Sequence, residues 1–365
     1  MSQIKLLTVF PFSGNGGIQS WANNYYKNLI DNEYHLTKVN NSPLDRKGKN
    51  GIFVRVWTGS VALFRVIKDI CRNIKKENTD ILHATTSGNI GTIRDYIIGT
   101  ICKRHNVRSI LHCHYGCISD DLSKEGRLAK LLKSTFKIYD QIWVLDKRSF
   151  DTLNEDPDLK GKIFLTPNSI DVNKPYDNRP YSYNNIAFIG NLIPSKGIFE
   201  LIEAANKTGI RLDIIGPGEE SVIEEIKKLA GSNFDKSIFL HGKLPNDKAV
   251  EFLKQVDMIA LPTYFPSEAF PMSILEAMAN SKLVISCPRA AIPDMLTDLE
   301  GNNCGILVKE KSSYEIANAI KWCQANPRLA DEMRKKAYVK VKASYDMNIV
   351  YDIYRENYNL LLTAE

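Results

Sequence analysis

Two carboxylates stand eight positions apart in Glu268-Ala269-Phe270-Pro271-Met272-Ser273-Ile274-Leu275-Glu276, the first in a polar loop and the second where an apolar helical pattern begins. An ionised carboxylate only accepts hydrogen bonds and can take two neighbouring hydroxyls at once. The loop follows Met258-Ile259-Ala260-Leu261, which reads as a buried strand, and Pro271 or Met272 opens the helix. Strand, loop and helix start make a ligand-binding edge, and the amides of a helix N-terminus favour a phosphate. A sugar nucleotide offers both kinds of group. By spacing alone, two solvated carboxylates are the commoner outcome; the motifs elsewhere in the chain reverse that weighting.

Those motifs sit at the ends of apolar runs. After Ile4 to Phe10 comes Pro11-Phe12-Ser13-Gly14-Asn15-Gly16-Gly17-Ile18 and a helical stretch, where glycines let backbone amides approach a phosphate. This is neither a Walker loop nor a full Gly-x-Gly-x-x-Gly. Ser109-Ile110-Leu111-His112-Cys113-His114 carries His114 to a strand's carboxyl end. Phe188-Ile189-Gly190-Asn191-Leu192-Ile193-Pro194-Ser195-Lys196-Gly197 places Lys196 at a helix start, a point cation beside amide donors that suits a departing diphosphate. Ile214-Ile215-Gly216-Pro217-Gly218 is a further strand and glycine turn.

The elements that must position these groups alternate along the chain. Runs at Asp80 to Ala84, Ser109 to His114, Gln141 to Leu145 and Lys162 to Thr166 join Ile4 to Phe10 in the first half. Runs at Ile186 to Ile189, Leu212 to Ile215, Ile238 to Leu240, Met258 to Leu261, Leu283 to Ser286 and Ile306 to Val308 follow in the second. Strands alternating with helices give doubly wound parallel sheets, with ligands beyond the strands' carboxyl ends. A chain of 365 residues suits two domains. The expected division is 1–172, a polar linker at 173–185, and 186–346, with an amphipathic terminal helix over 347–365.

These residues resemble retaining glycosyltransferases of the GT-B type, family four, whose signature is a Glu, seven residues and a second Glu within a Leu-Glu-Ala-Met-Ala helix, here Leu275 to Ala279. The resemblance implies two Rossmann-like domains facing a cleft, with the terminal helix crossing back to the first. It places Glu268 by the donor sugar, Glu276 by the nucleotide ribose and His114 beside the sugar as a positioning or transition-state residue. Catalytic work is thus expected of His114, Lys196 and Glu268. The donor-binding set is Gly16, Gly17, Gly190, Asn191, Lys196, Gly216, Phe270, Pro271 and Glu276. Asn191 stands where the family has Arg, so either Lys196 carries more of the leaving-group charge, another Arg compensates, or activity is low. Ala290-Ala291-Ile292-Pro293-Asp294 likewise replaces Gly-Gly-Ile-Pro-Glu. The implied reaction moves a sugar from a nucleotide diphosphate to a hydroxyl acceptor, such as a lipid-linked saccharide of surface polysaccharide synthesis. The alternatives are a nucleotide-sugar epimerase and a catalytically weak nucleotide-sugar-binding partner subunit.

No metal or other cofactor is expected. Asp156-Pro157-Asp158 mimics a metal-binding Asp-x-Asp but lies in a polar turn, and Cys113 and Cys117 with His112 and His114 lack a second Cys-x-x-Cys. Seven scattered cysteines fit reduced thiols in a cytosolic protein, and no signal peptide or membrane span is read. Residues 1–180 hold 27 Lys and Arg against 18 Asp and Glu, a balance of +9, and the remainder 21 against 24, a balance of −3. Basic helical stretches at Val61 to Lys76 and Asp121 to Tyr139 direct this charge toward an anionic membrane surface, making the protein a candidate for peripheral attachment. Nucleic acid is excluded as a partner for want of a groove-reading motif or aromatic platform.

Overall fold

Each half of the chain forms its own six-stranded parallel sheet. The computed structural model describes residues 3–13, 17–29, 33–44 and 52–363, and the chain divides into one unit of Met1–Pro167 with Tyr351–Glu365 and a second of Asn168–Val350.

In the first unit the strands are β1 (Ile4–Phe10), β2 (Tyr34–Asn40), β3 (Ile81–Thr86), β4 (Arg108–Cys113), β5 (Gln141–Val144) and β6 (Ile163–Leu165), in the order β2-β1-β3-β4-β5-β6. The helices between them are α1 (Gly17–Asn28), α2 (Ile52–Glu77), α3 (Gly91–Arg104), α4 (Ile118–Ser123), α5 (Arg127–Ile138) and α6 (Lys147–Asn154). Successive strand side chains point to opposite faces, and the two faces differ in chemistry. Val9, Leu82, Ala84, Leu111, Ile142 and Val144 share an aliphatic core with Val66, Ile70 and Ile74 of α2, Ile98 of α3 and Phe136 of α5. His83, His112 and Trp143 alternate with them and meet Trp21 and Tyr25 of α1 in an aromatic layer.

In the second unit the strands are β7 (Asn185–Ile189), β8 (Arg211–Ile215), β9 (Ile238–Gly242), β10 (Met258–Leu261), β11 (Leu283–Ser286) and β12 (Ile306–Leu307), in the order β12-β11-β10-β7-β8-β9. Its helices are α7 (Ile198–Thr208), α8 (Glu220–Ala230), α9 (Asn246–Phe252), α10 (Met272–Ala279), α11 (Ile292–Met295), α12 (Ser313–Ala325) and α13 (Pro327–Ser344). Helix α14 (Met347–Thr363) begins in this unit, and from Tyr351 onward belongs to the first. There Tyr354 stacks on Trp143, and the Tyr358 hydroxyl meets the Tyr25 hydroxyl and His83 Nδ1.

Three expectations are corrected. β2 is a strand that the apolar runs do not announce; its pattern YHLTKVN is half polar because it lies at the sheet edge. The basic stretch 121–139 is not one helix: the chain breaks between α4 and α5, where Gly126 takes φ 150°. The polar segment 173–185 is packed within the second unit. Arg334 of α13, almost wholly buried, donates to the Asp177 and Arg179 carbonyls and lies 3.9 Å from the centre of the Tyr181 ring.

Candidate active site

In the second unit the strand order reverses between β7 and β10: the chain steps from β7 outward to β8 and β9, then returns to the other side of β7. Such a switch point opens a crevice at the carboxyl ends of the two strands. Lys196 follows β7 and Glu268 follows β10, and the two meet there, Nζ 3.1 Å from Oε2, with side chains only 17% and 10% exposed.

Local structure explains the meeting. Lys196 ends a single 3-10 turn, Pro194–Lys196, and Gly197 closes it at φ 78°. A Cβ on Gly197 would fall 2.2 Å from the Pro262 carbonyl oxygen, so only glycine lets this turn lie against the β10 loop. The Tyr264 amide donates to the Ser195 carbonyl at 2.8 Å and stitches the two loops together. On the other side the Glu268 amide donates to Phe265 O, and the Thr263 hydroxyl donates to Glu268 Oε2 at 3.3 Å. Both side-chain contacts to the carboxylate fall on Oε2, which leaves Oε1 to accept from a ligand hydroxyl.

Helix α10 begins four residues after Glu268. Its N-cap is Pro271, whose side chain makes no capping bond; the Ile274 amide donates to the Pro271 carbonyl, and among the described residues the Met272 and Ser273 amides are left for a ligand. Glu276 is nearly buried on the same helix, among Ile274, Leu275, Ala277 and Met278. The Phe270 ring packs against Tyr345 with centroids 5.2 Å apart, and its carbonyl accepts from Asn168 Nδ2, so what Phe270 can offer a ligand is its amide. Gly190 and Gly216 stand side by side past β7 and β8: a Cβ on Gly216, at φ 149°, would fall 1.8 Å from Gly190 O. Asn191 is exposed. The Arg289 Nε donates to Phe265 O at 3.4 Å, bringing a guanidinium to the loop that also carries Lys196 over its Phe265 ring.

His114 belongs to the first unit, one residue past β4, where its amide donates to Thr86 O at 2.8 Å. Its ring lies between Trp21, 4.5 Å away, and His112, 4.2 Å away. Burial pushes its pKa down to about 3 and holds those of His83 and His112 well below the ordinary value. His114 is therefore a neutral imidazole, and its buried Nε2 has no hydrogen-bond partner. Such a group can bond a sugar hydroxyl but cannot serve as a cation. Gly17 is the first residue of α1; Gly16 lies outside the described residues. Sequence reasoning missed Thr263, the second group holding Glu268, because one threonine in a loop carries no pattern.

The other candidate chemistry dissolves into structure. Asp156 caps a 3-10 turn by accepting from the Asp158 amide, and Asp158 pairs with Lys137. Among the described residues no three His, Cys, Asp or Glu side chains come together as metal ligands. Burial pushes the Cys102, Cys287, Cys304 and Cys323 thiols up to about 12, far from the thiolate needed for nucleophilic work.

Residues 171–340 match the family described as Glycosyl transferases group 1, and this stretch contains Asn191, Lys196, Gly216, Glu268 and Glu276. This stretch is a group 1 glycosyltransferase domain. Over 320 residues, 84% of each chain, the transferase is 25% identical to an uncharacterized glycosyltransferase of Methanocaldococcus jannaschii. It is 26% identical over 169 residues to a lipopolysaccharide 1,2-N-acetylglucosaminetransferase of Salmonella typhimurium, covering 43% of this chain and 42% of that one. In three dimensions it resembles the HepE protein of Anabaena, solved in complex with UDP-glucose, with a TM-score of 0.73, 14% identity and coverage of 98% and 100%. The fold is GT-B, two Rossmann-like domains.

Proposed function

We propose that the transferase moves a sugar from a nucleotide diphosphate to the hydroxyl of a lipid-linked saccharide in surface polysaccharide or glycoconjugate synthesis, with retention of anomeric configuration and without a metal. The observation that carries this reading is the Lys196–Glu268 pair at the switch point of the second unit, beside the uncapped start of α10. Breaking the anomeric bond builds negative charge on the diphosphate and positive charge on the sugar. A cation and free helix amides suit the first, and fixed acceptors suit the second.

In this reading Lys196 and the α10 amides after Pro271 bind the diphosphate, joined by the backbone at Gly16, Gly17 and Gly190. Glu268 Oε1 accepts from a sugar hydroxyl and Glu276 from the ribose, and the family resemblance assigns neutral His114 to the sugar as well. Gly216 holds the Gly190 loop in place for the nucleotide. The acceptor attacks from the face that the diphosphate leaves, and the leaving phosphate takes the acceptor proton, so no separate carboxylate nucleophile is required. The UDP-glucose held by the HepE protein and the lipopolysaccharide substrate class of the Salmonella relative support a nucleotide-sugar donor and a saccharide acceptor. Among the described residues no helix is long and apolar enough to cross a membrane; the basic first half supports peripheral attachment at the cytosolic face.

The test is nucleoside diphosphate release from a panel of nucleotide sugars, with and without a lipid-linked acceptor extract, in chelator, with the product anomer read by NMR. Acceptor-stimulated, chelator-resistant release giving the donor's own anomer is expected from one donor, and is lost in Glu268→Ala and Lys196→Ala. Sugar isomerisation without release would make the protein an epimerase. Binding without turnover would make it a partner subunit, with the neutral Asn191 as the reason.

A further inference from the structure

Helix α2 buries one face and, among the described residues, leaves the opposite face exposed. Val66, Ile70 and Ile74 enter the aliphatic core of the first unit. On the far side, at helical spacing, stand Phe53, Trp57, Val61 and Phe64, of which Phe53 is 86%, Trp57 72% and Phe64 70% exposed. The same stripe continues into Lys68, Arg72 and Lys75, all exposed. Over about three turns the solvent-facing side is aromatic and aliphatic, and over the next two to three it is cationic.

Large side chains in a contiguous exposed row mark a surface that something covers. The charges say what. No acidic residue lies on the stripe; Asp69 sits off it and approaches Arg72 only at 3.9 Å. A second copy of the chain laid on this face would bring cations to an interface with no carboxylate to meet them. A bilayer with anionic lipid supplies both halves of the match: an interfacial zone that takes Trp and Phe, and headgroup phosphates for Lys and Arg.

We propose that α2 is a membrane-surface anchor, seating Phe53, Trp57, Val61 and Phe64 at the headgroup–acyl boundary while Lys68, Arg72 and Lys75 bind anionic headgroups. The placement gives the anchor a purpose. Strands β2 and β3 are parallel, so α2 and α3 both start at the carboxyl edge of the sheet, the edge that also carries His114. Ile90 and Ile93, at the start of α3, are exposed there too. Anchoring by this end of α2 holds the acceptor side of the first unit at the depth of a lipid-linked saccharide. The inference rests on the membrane part of the reading above and not on the transfer chemistry in the second unit.

The experiment is co-flotation of the full chain with phosphatidylcholine vesicles, with and without phosphatidylglycerol, together with quenching of Trp fluorescence by acyl-brominated lipid. Wild type floats with the anionic vesicles and is quenched, and Trp57→Phe removes the quenching. The triple variant Phe53→Ser, Trp57→Ser, Phe64→Ser and the double variant Lys68→Glu, Lys75→Glu each lose ~10-fold or more in partition. All five positions are exposed, and far-ultraviolet circular dichroism checks that the variants fold. Glu268→Ala floats like wild type, so a failed transferase assay and a failed anchor give different results. Equal flotation of the triple variant, quenching that survives Trp57→Phe, or a vesicle-independent dimer in sedimentation that the triple variant abolishes would each overturn the proposal.

Discussion

The Lys196 ammonium stands 3.1 Å from Glu268 Oε2, so the cation proposed for the leaving group and the acceptor proposed for the sugar are held by one another before any donor arrives. Each prevents the other from turning toward solvent. Lys196→Ala removes the only side-chain cation that contacts this carboxylate among the described residues. It is expected to lower kcat by about 10²–10³, the range seen when one preorganised charge-stabilising donor is lost. Lys196→Arg is expected to restore little, since a planar fork does not replace a point charge in this turn. Steady-state release of nucleoside diphosphate measures both, and an unchanged kcat in Lys196→Ala would leave the pair a purely structural feature.

Gly216 tests what a glycine in this site is for. Its missing Cβ is what allows the Gly190 carbonyl to approach, and its φ of 149° is itself unfavourable for other residues. Gly216→Ala should therefore cost about 1–3 kcal/mol of stability in the second unit, visible as a lower thermal midpoint. Donor affinity falls with it because the Gly190 loop moves. Gly209→Ala, at a helix end with open space around it, is the control that carries backbone strain alone.

In the proposed reading Asn191 leaves the leaving-group site without the arginine that the resemblance implies, and Arg289 is a guanidinium that the structure brings to the loop beside Lys196, through Phe265 O. Its other contact, to Glu310 at 3.8 Å, is loose enough to yield to a phosphate. Arg289→Ala is expected to raise the donor KM about tenfold, and Asn191→Arg in that background to recover part of it. Donor titration by calorimetry decides: an Arg289→Ala protein with wild-type affinity would leave Lys196 to carry the charge alone.

Much of this architecture was legible because buried parallel strands are written as short continuous apolar runs, and all six strands of the second unit announce themselves in that way. β2 does not, since an edge strand with His35 and Lys38 exposed has no such run. Segment 173–185 reads as a linker because its anchor, Arg334, lies about 150 residues away and nothing local hints at it. The order of Lys196 and Glu268 along the chain was readable; their contact depends on Gly197 fitting under Pro262 and on Thr263, which only the fold reveals. The exposed stripe of α2 escaped for a related reason. Thr58, Gly59 and Ser60 interrupt the helical pattern, so the helix read from Val61 onward loses the turns that carry Phe53 and Trp57.

The aromatic layer makes the first unit acid-sensitive in a calculable sense. His83, His112 and His114 are neutral in the folded protein because burial depresses their pKa values, to about 3 for His114. In the unfolded chain a histidine titrates near 6.5. Below that pH the unfolded state binds protons that the folded state refuses, so stability is fully present above about 6.5 and is lost as pH falls toward the folded values. Each histidine contributes a slope of about 1.4 kcal/mol per pH unit within that window. Urea midpoints between pH 7.5 and 5 should therefore fall steeply in wild type. His83→Asn, which gives up the bond between His83 Nδ1 and the Tyr358 hydroxyl, starts less stable at pH 7.5 but declines with a slope shallower by about one proton. Because His114 stays neutral over the same range, kcat/KM should show no limb near pH 6.5 that His114→Asn removes. Such a limb would mean that donor binding recharges the imidazole, and that the layer is wetter in the working enzyme than its packing against Trp21 and His112 implies.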